Sequence, residues 1–205
     1  MSSRPVIAID IDDTIADSTE SLRQLVNRRW NVHLTKDDYR IPGNYRKYYE
    51  QVWARHGLVD KVKYADLEDE MVIDQSHVPL MEGAEEAIGE LKKIAHVIFI
   101  TARHVSWEAA TRKWFSDVLA HNDIELYFSE GMSNTGAMTK GQLCKEFGAS
   151  WLIDDNPSHC LTAIDEGVNT ILFGEYGWHI GDGLQKMVKC KSWPDVTEYF
   201  RYESR

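Results

Sequence analysis

Two apolar runs in this chain end in acid. Val6-Ile7-Ala8-Ile9 leads into Asp10-Ile11-Asp12-Asp13-Thr14, and far downstream Trp151-Leu152-Ile153 leads into Asp154-Asp155. If both runs are parallel strands of one sheet, their carboxylates meet at its carboxyl edge, where open α/β sheets hold ligands. Carboxylates gathered there repel one another unless a cation lies among them, and an all-oxygen set suits a hard ion such as Mg2+. An EF-hand calcium loop is excluded, because Ile15 stands where that loop needs glycine and Ser21 where it needs glutamate. A merely solvated acidic turn leaves unexplained why an uninterrupted apolar strand should feed it.

A third run ends in Ile100-Thr101-Ala102-Arg103 and would bring a hydroxyl and free backbone N–H groups beside the acids, groups that bind phosphate oxygens. Taken alone, Thr101 reads equally as a helix cap. Lys140 follows Thr139 at the start of an expected helix. Alone it reads as a solvated side chain; among carboxylates and a metal, a fixed cation there neutralises both a phosphoryl group and an acidic nucleophile. Arg103 and His104 are candidates for substrate contact. His159 is expected on the outer face of a helix, and the remaining histidines show no paired spacing such as HExxH.

The elements that must position these groups follow from periodicity. Strand-like runs at 5–9, 95–100, 124–128, 150–154 and 168–173 alternate in the later chain with helical spacing. That order predicts an α/β fold, a Rossmann-like parallel sheet with helices on both faces. Trp107, Ala110, Thr111, Trp114 and Val118 form one helical face; Leu143, Cys144 and Phe147 form another, which Gly148 is placed to end. Residues 16–80 are too many for a βα loop and read as a small helical cap inserted after the first strand, with 1–15 and 81–205 as the core. Leu22, Leu25, Val26 and Trp30 mark its first amphipathic helix, and Thr35-Lys36-Asp37-Asp38 resembles a capping box for another. Tyr39, Tyr45, Tyr48, Tyr49, Trp53 and Tyr64 read mainly as the cap's own core, with one or two facing the cleft to stack on a flat substrate. After Phe173 the chain reads as loop, and residues 194–201 as a final helix without chemistry.

Composition narrows the classes. With 205 residues, 43% apolar and 27% charged, the chain suits a soluble globular protein. No apolar run approaches the roughly 20 residues of a membrane span. The first residues carry no signal-like apolar block, so secretion is not expected. Cys144, Cys160 and Cys190 are odd in number and widely spaced, which indicates neither a disulfide framework nor zinc, and a reducing cytoplasmic setting is the expectation. A net charge of −10 opposes binding to a nucleic-acid polymer and leaves small phosphorylated substrates.

The order strand-Asp10-x-Asp12-Asp13-Thr14, strand-Thr101-Ala102-Arg103, Lys140, strand-Asp154-Asp155 resembles the haloacid dehalogenase superfamily of phosphohydrolases over nearly the whole core. The insertion after the first strand resembles that superfamily's first-position cap. Ile100 to His104, with Thr111 and Trp114, is similar to the 5′-nucleotidase branch that includes 5′(3′)-deoxyribonucleotidases. The resemblance implies Asp10 as a nucleophile forming an aspartyl-phosphate and Asp12 as general acid, then base. It implies Mg2+ on the Asp10 carboxylate, the Asp12 carbonyl and one or both of Asp154 and Asp155, with Thr101, the Ala102 N–H and Lys140 on the phosphoryl oxygens. Neighbouring carboxylates are expected to raise the pKa of Asp12. Two positions depart from the pattern: Asp13 stands where many members carry glycine, and Gly141, a poor helix residue, follows Lys140. The expected activity is a Mg2+-dependent phosphomonoesterase for nucleoside monophosphates. The alternatives are a phosphatase or phosphotransferase for another small phosphorylated metabolite, and a non-catalytic nucleotide-binding regulator.

Overall fold

The computed structural model describes residues 4–119, 124–130 and 138–203 of the chain. Among them, β1 (Val6–Ile9), β2 (His96–His104), β3 (Leu126–Glu130), β4 (Ala149–Asp154), β5 (Asn169–Phe173) and β6 (Val188–Cys190) form one sheet in the order β3-β2-β1-β4-β5-β6. All pairs are parallel. The acid-bearing strands β1 and β4 are direct neighbours, with Ile9 opposite Ile153, and β2 flanks β1 with Phe99 opposite Ile9. The sixth strand, β6, was not expected from the sequence; three residues are too few to show an alternating pattern.

Side chains of successive strand residues point to opposite faces. Ile7, Ile9, Val97, Phe99 and Ile153 face one core, built with α4 (Ala84–Ile94), α5 (Glu108–Val118) and α8 (Trp193–Glu203) through Leu91, Trp114, Phe115, Trp193 and Phe200. Ala8, Ile98, Ile100 and Leu152 face the other, against Leu143 and Cys144 of α6 (Lys140–Glu146) and Ala163 of α7 (Pro157–Asp165). Each fully buried isoleucine or phenylalanine contributes about 1.5–3 kcal/mol through burial. The strands are thus coated on both sides, as a parallel sheet requires.

Between β1 and α4 lie α1 (Ser18–Trp30), α2 (Tyr48–Arg55) and α3 (Tyr64–Ile73). Asp17 caps α1 by accepting the Glu20 N–H, and Asn31 ends it in the left-handed conformation. The Thr35–Asp38 pattern delivers a 3-10 turn over Asp37–Arg40 rather than an α-helix; the Asp38 carboxylate accepts from the Thr35 N–H and hydroxyl. Leu22, Val26, Tyr39, Tyr48, Val52, Trp53 and Leu67 form a second hydrophobic cluster, which Trp178 from beyond β5 joins. The segments entering and leaving this region run side by side: Ala16 pairs with Leu80, the Asp17 N–H donates to the Pro79 carbonyl and the Met81 N–H to the Ile15 carbonyl. No helix among the described residues is long and apolar enough to cross a membrane.

Candidate active site

Asp10 continues the ladder past β1, its N–H donating to the Ile153 carbonyl at 2.9 Å. The chain then winds tightly around the Ile11 carbonyl, which accepts from Thr14, Ile15 and Ala16. Asp13 makes this possible with φ of 53°, a left-handed conformation that glycine, asparagine and aspartate tolerate best. From the far end of the chain, the Trp193 indole N–H donates to the Thr14 carbonyl and braces the turn.

Asp10, Asp154 and Asp155 are buried, and one carboxylate oxygen from each lies within 4.8 Å of the others. Lys140, also buried, places its Nζ 2.5 Å from Asp10 Oδ1 and 2.7 Å from Asp154 Oδ2. It is delivered as the first residue of α6, behind a reciprocal capping box between Thr139 and Gln142. Gly141 explains its own presence: a Cβ there would stand 2.1 Å from the Thr162 carbonyl oxygen, so only glycine lets α6 approach α7 closely enough to insert the lysine.

Electrostatics follow from this packing. Burial raises the Asp10 carboxyl to about 6, against the pull of Lys140. Asp155 is pushed well above the usual carboxylate range by burial and then by the Asp154 and Asp10 charges. Burial opposes ionisation of Asp154 as well, but Lys140 and His159 outweigh it and hold that carboxyl low. Burial likewise opposes the charge of Lys140, yet Asp10 and Asp154 keep its ammonium above the ordinary lysine range.

Arg103 grips Asp12. Its Nε lies 2.8 Å from Asp12 Oδ2 and its Nη2 2.6 Å from Oδ1, while Nη1 reaches Gln75 Oε1 and Thr111 Oγ1. Ser18 adds a hydroxyl donor to Asp12 Oδ1 at 2.6 Å. The expected upward shift of Asp12 is therefore wrong: burial does raise it, but the Arg103 guanidinium and the Ser18 hydroxyl outweigh burial and hold the carboxyl below its ordinary value. Neighbouring acids were visible in the sequence; a guanidinium arriving from another strand was not.

A cavity of about 290 Å³ opens above these groups. Asp10, Asp12, Ala102, Arg103, His104 and Lys140 line it, whereas Thr101, Asp154 and Asp155 are buried behind that wall. Thr101 Oγ1 accepts the Arg103 N–H at 3.1 Å. His104 is exposed, with Nδ1 2.9 Å from Ser106 Oγ. His159 corrects a second expectation: it is not on an outer face but lines the cavity, with Nδ1 3.3 Å from Asp154 Oδ1. It lies in the first turn of α7, which starts just past the carboxyl end of β4 and so faces it toward Asp154.

Asp13 lines the same cavity but lies outside the three-carboxylate group. Its carboxylate accepts the Thr19 N–H and hydroxyl, each at 2.8 Å, and burial pushes it up to about 7 despite those bonds. The expected aromatics divide: Tyr39 and Trp53 are buried together, joined by an indole-to-hydroxyl hydrogen bond of 3.0 Å, while Tyr45, Tyr48, Tyr49 and Tyr64 line the cavity. The sequence reading missed residues 174–179. Tyr176 donates its hydroxyl to the Asp13 carbonyl, Trp178 donates its indole N–H to Asp155 Oδ2, and His179 Nε2 lies 2.7 Å from the Asp155 carbonyl. Two aromatics in a glycine-bounded loop were the available signal.

The donor set fits a hard divalent cation. Three buried carboxylates converge, two of them sharing the Lys140 ammonium, and their oxygens have the chemistry that Mg2+ prefers. Solved structures resemble the chain over its whole length. A haloacid dehalogenase family hydrolase from Deinococcus radiodurans R1, with bound phosphate and sodium, superposes with a TM-score of 0.63 at 12% identity, covering 100% of this chain and 98% of that one. The fold is that of the haloacid dehalogenase-like hydrolases. A predicted phosphoglycolate phosphatase from Haemophilus somnus 129PT gives 0.61 at 13% identity, covering 98% and 99% of the two chains. The hydrolase YfnB from Bacillus subtilis, bound to magnesium, gives 0.60 at 15% identity, covering 97% and 99%. No protein-family model matches the chain, and no curated protein does.

Proposed function

We propose that the chain is a Mg2+-dependent phosphomonoesterase for small phosphorylated substrates, with nucleoside monophosphates as its substrate class. The observation that carries this reading is Lys140 held between Asp10 and Asp154, with Asp155 completing a buried carboxylate cluster beneath a cavity of substrate size. A nucleophilic carboxylate, a fixed cation and a hard-metal donor set are what phosphoryl transfer needs, because its demand is for positioning and charge stabilisation.

Asp10 attacks phosphorus, forming the aspartyl-phosphate as the ester oxygen leaves. Lys140 neutralises Asp10 and the transferring oxygens, and the Ala102 N–H, on the cavity wall, donates to another phosphoryl oxygen. Thr101 steadies that turn through the Arg103 N–H. Asp12, ionised against Arg103, takes the proton of the water that hydrolyses the intermediate; to protonate the leaving oxygen it must first take up a proton against that guanidinium. The Asp10, Asp154 and Asp155 carboxylates and the Asp12 carbonyl would hold Mg2+, which when bound offsets the charge on the phosphoryl group. Residues 16–80 serve as a cap that covers the reaction, and the Tyr45, Tyr49 and Tyr64 rings offer faces for a flat leaving group. The setting proposed is cytoplasmic, consistent with Cys144, Cys160 and Cys190 being buried and unpaired.

Phosphate release from nucleoside monophosphates and sugar phosphates, with Mg2+ or with EDTA, tests this reading. Release should require the metal and vanish in a folded Asp10→Asn variant. Undiminished turnover by that variant would overturn the assignment of the nucleophile.

A further inference from the structure

The loop after β5 is fastened at three points. The Gly174 N–H donates to the Cys190 carbonyl at 2.8 Å, tying its start to β6. At its middle, the Gly177 carbonyl accepts the Gly43 N–H at 3.1 Å, and a Cβ on Gly177 would stand 1.9 Å from the Ile41 carbonyl oxygen. At its end, the Trp178 indole N–H meets Asp155 Oδ2 at 2.9 Å.

Trp178 belongs at once to the inserted helices and to the acid cluster. Its ring is 3% exposed and sits in the cluster built from Leu22, Tyr48 and Trp53. Tyr48 meets it edge-on at 4.9 Å, Tyr45 does so at 5.6 Å, and Tyr176 stacks parallel to it at 4.5 Å. Lys140 serves the carboxylates of Asp10 and Asp154; among the described residues the side chain that donates to the Asp155 carboxylate is this indole, whose N–H also reaches the Asp155 carbonyl at 3.2 Å.

We propose that Trp178 is a positioning residue for the divalent-cation site, its indole N–H fixing the Asp155 carboxylate so that Oδ1 is the oxygen left to face the cation. The proposal rests on reading Asp10, Asp154 and Asp155 as that site. A carboxylate with no donor turns about its terminal bond, and an outer partner that stops the turning is worth 10- to 100-fold in metal affinity. Because the indole ring is gripped by Tyr45 and Tyr48, displacement of residues 41–48 carries Trp178 with it and loosens Asp155. Cation affinity and the seating of the inserted helices are thereby linked.

The test is Mn2+ binding to the full chain by calorimetry, comparing native protein with Trp178→Phe. Phenylalanine keeps an aromatic ring in the cluster but removes the N–H donor to Asp155 together with part of the ring volume. The dissociation constant should rise about 10- to 100-fold, while the melting temperature in EDTA drops only by what the lost ring volume costs. Saturating Mg2+ should then restore most of the phosphate release. Trp178→Met, a flexible apolar filler, takes its place if the phenylalanine variant does not fold. Native affinity in a folded variant would overturn the positioning role alone, whereas absence of Mn2+ binding by the native chain would overturn the cation site itself.

Discussion

Asp10, Asp154 and Asp155 are three buried carboxyls with one ammonium among them, and that imbalance has a measurable consequence. Asp10 is raised from 3.8 to about 6 and Asp13 to about 7, each first by burial; Asp155 and Asp17 shift upward for the same leading reason. Between the unfolded and folded values, the folded chain holds more protons than the unfolded chain, so stability falls as pH rises through that window. His179, lowered mainly by burial, acts in the opposite sense, one group against four. Asp12, Asp154, Glu20, Asp38 and Asp74, all held low, also act in the opposite sense, but only as pH drops into the ordinary carboxylate range, at the acid edge of the window. The melting temperature in EDTA should therefore decline from about pH 5 to about pH 7, and Mg2+ should flatten the decline by supplying the missing positive charge. A metal-free profile that rises across this range would contradict the charge balance described here.

At the scale of elements, the site depends on how closely α6 approaches α7. Gly141 permits that contact, and Thr139 starts α6 with a reciprocal cap, so the lysine between them enters from a fixed angle. Gly141→Ala removes a helix-weakening glycine, which by propensity alone would stabilise α6 by about 1 kcal/mol. The clash with the Thr162 carbonyl opposes this and should win, for a net loss of about 1–3 kcal/mol typical of overpacking. Urea denaturation measures the loss, and turnover should fall with it as Lys140 withdraws from Asp10 and Asp154. The strand runs ending in acid were legible as uninterrupted apolar runs, and the helices after them because a period of 3.6 survives in the sequence. Short elements such as β6 and the 3-10 turn at Asp37–Arg40 have too few residues to carry either period.

For the whole molecule, the decisive feature is the cavity between the carboxyl edge of the sheet and the inserted helices. One wall carries the chemistry and the other carries rings: Tyr64 stacks parallel to Tyr49 at 5.6 Å, and Tyr49 in turn reaches Thr19 Oγ1 at 2.9 Å. If the rings receive a nucleobase, Tyr64→Ala should raise KM for nucleoside monophosphates on the order of 10-fold, the range expected for loss of one stacking contact. KM for a short sugar phosphate, which has no flat ring, should hardly change. Steady-state kinetics on both substrates separates the outcomes, and equal effects on the two would remove base stacking from the account.

Chain order and local pattern were enough to say which strands end in acid, that these strands lie parallel, and that a long helix-forming stretch lies between the first and the second. Those properties are local: apolar runs, spacing and chain order record them. Only the tertiary structure decided that Arg103 holds Asp12 ionised, that His159 turns inward onto Asp154, and that Trp178 reaches Asp155. Each of these joins groups on different elements, Arg103 and Asp12 being 91 positions apart. Protonation state and side-chain aim depend on what stands within a few ångströms, and folding sets that neighbourhood by bringing together residues whose separation along the chain has no pattern to read.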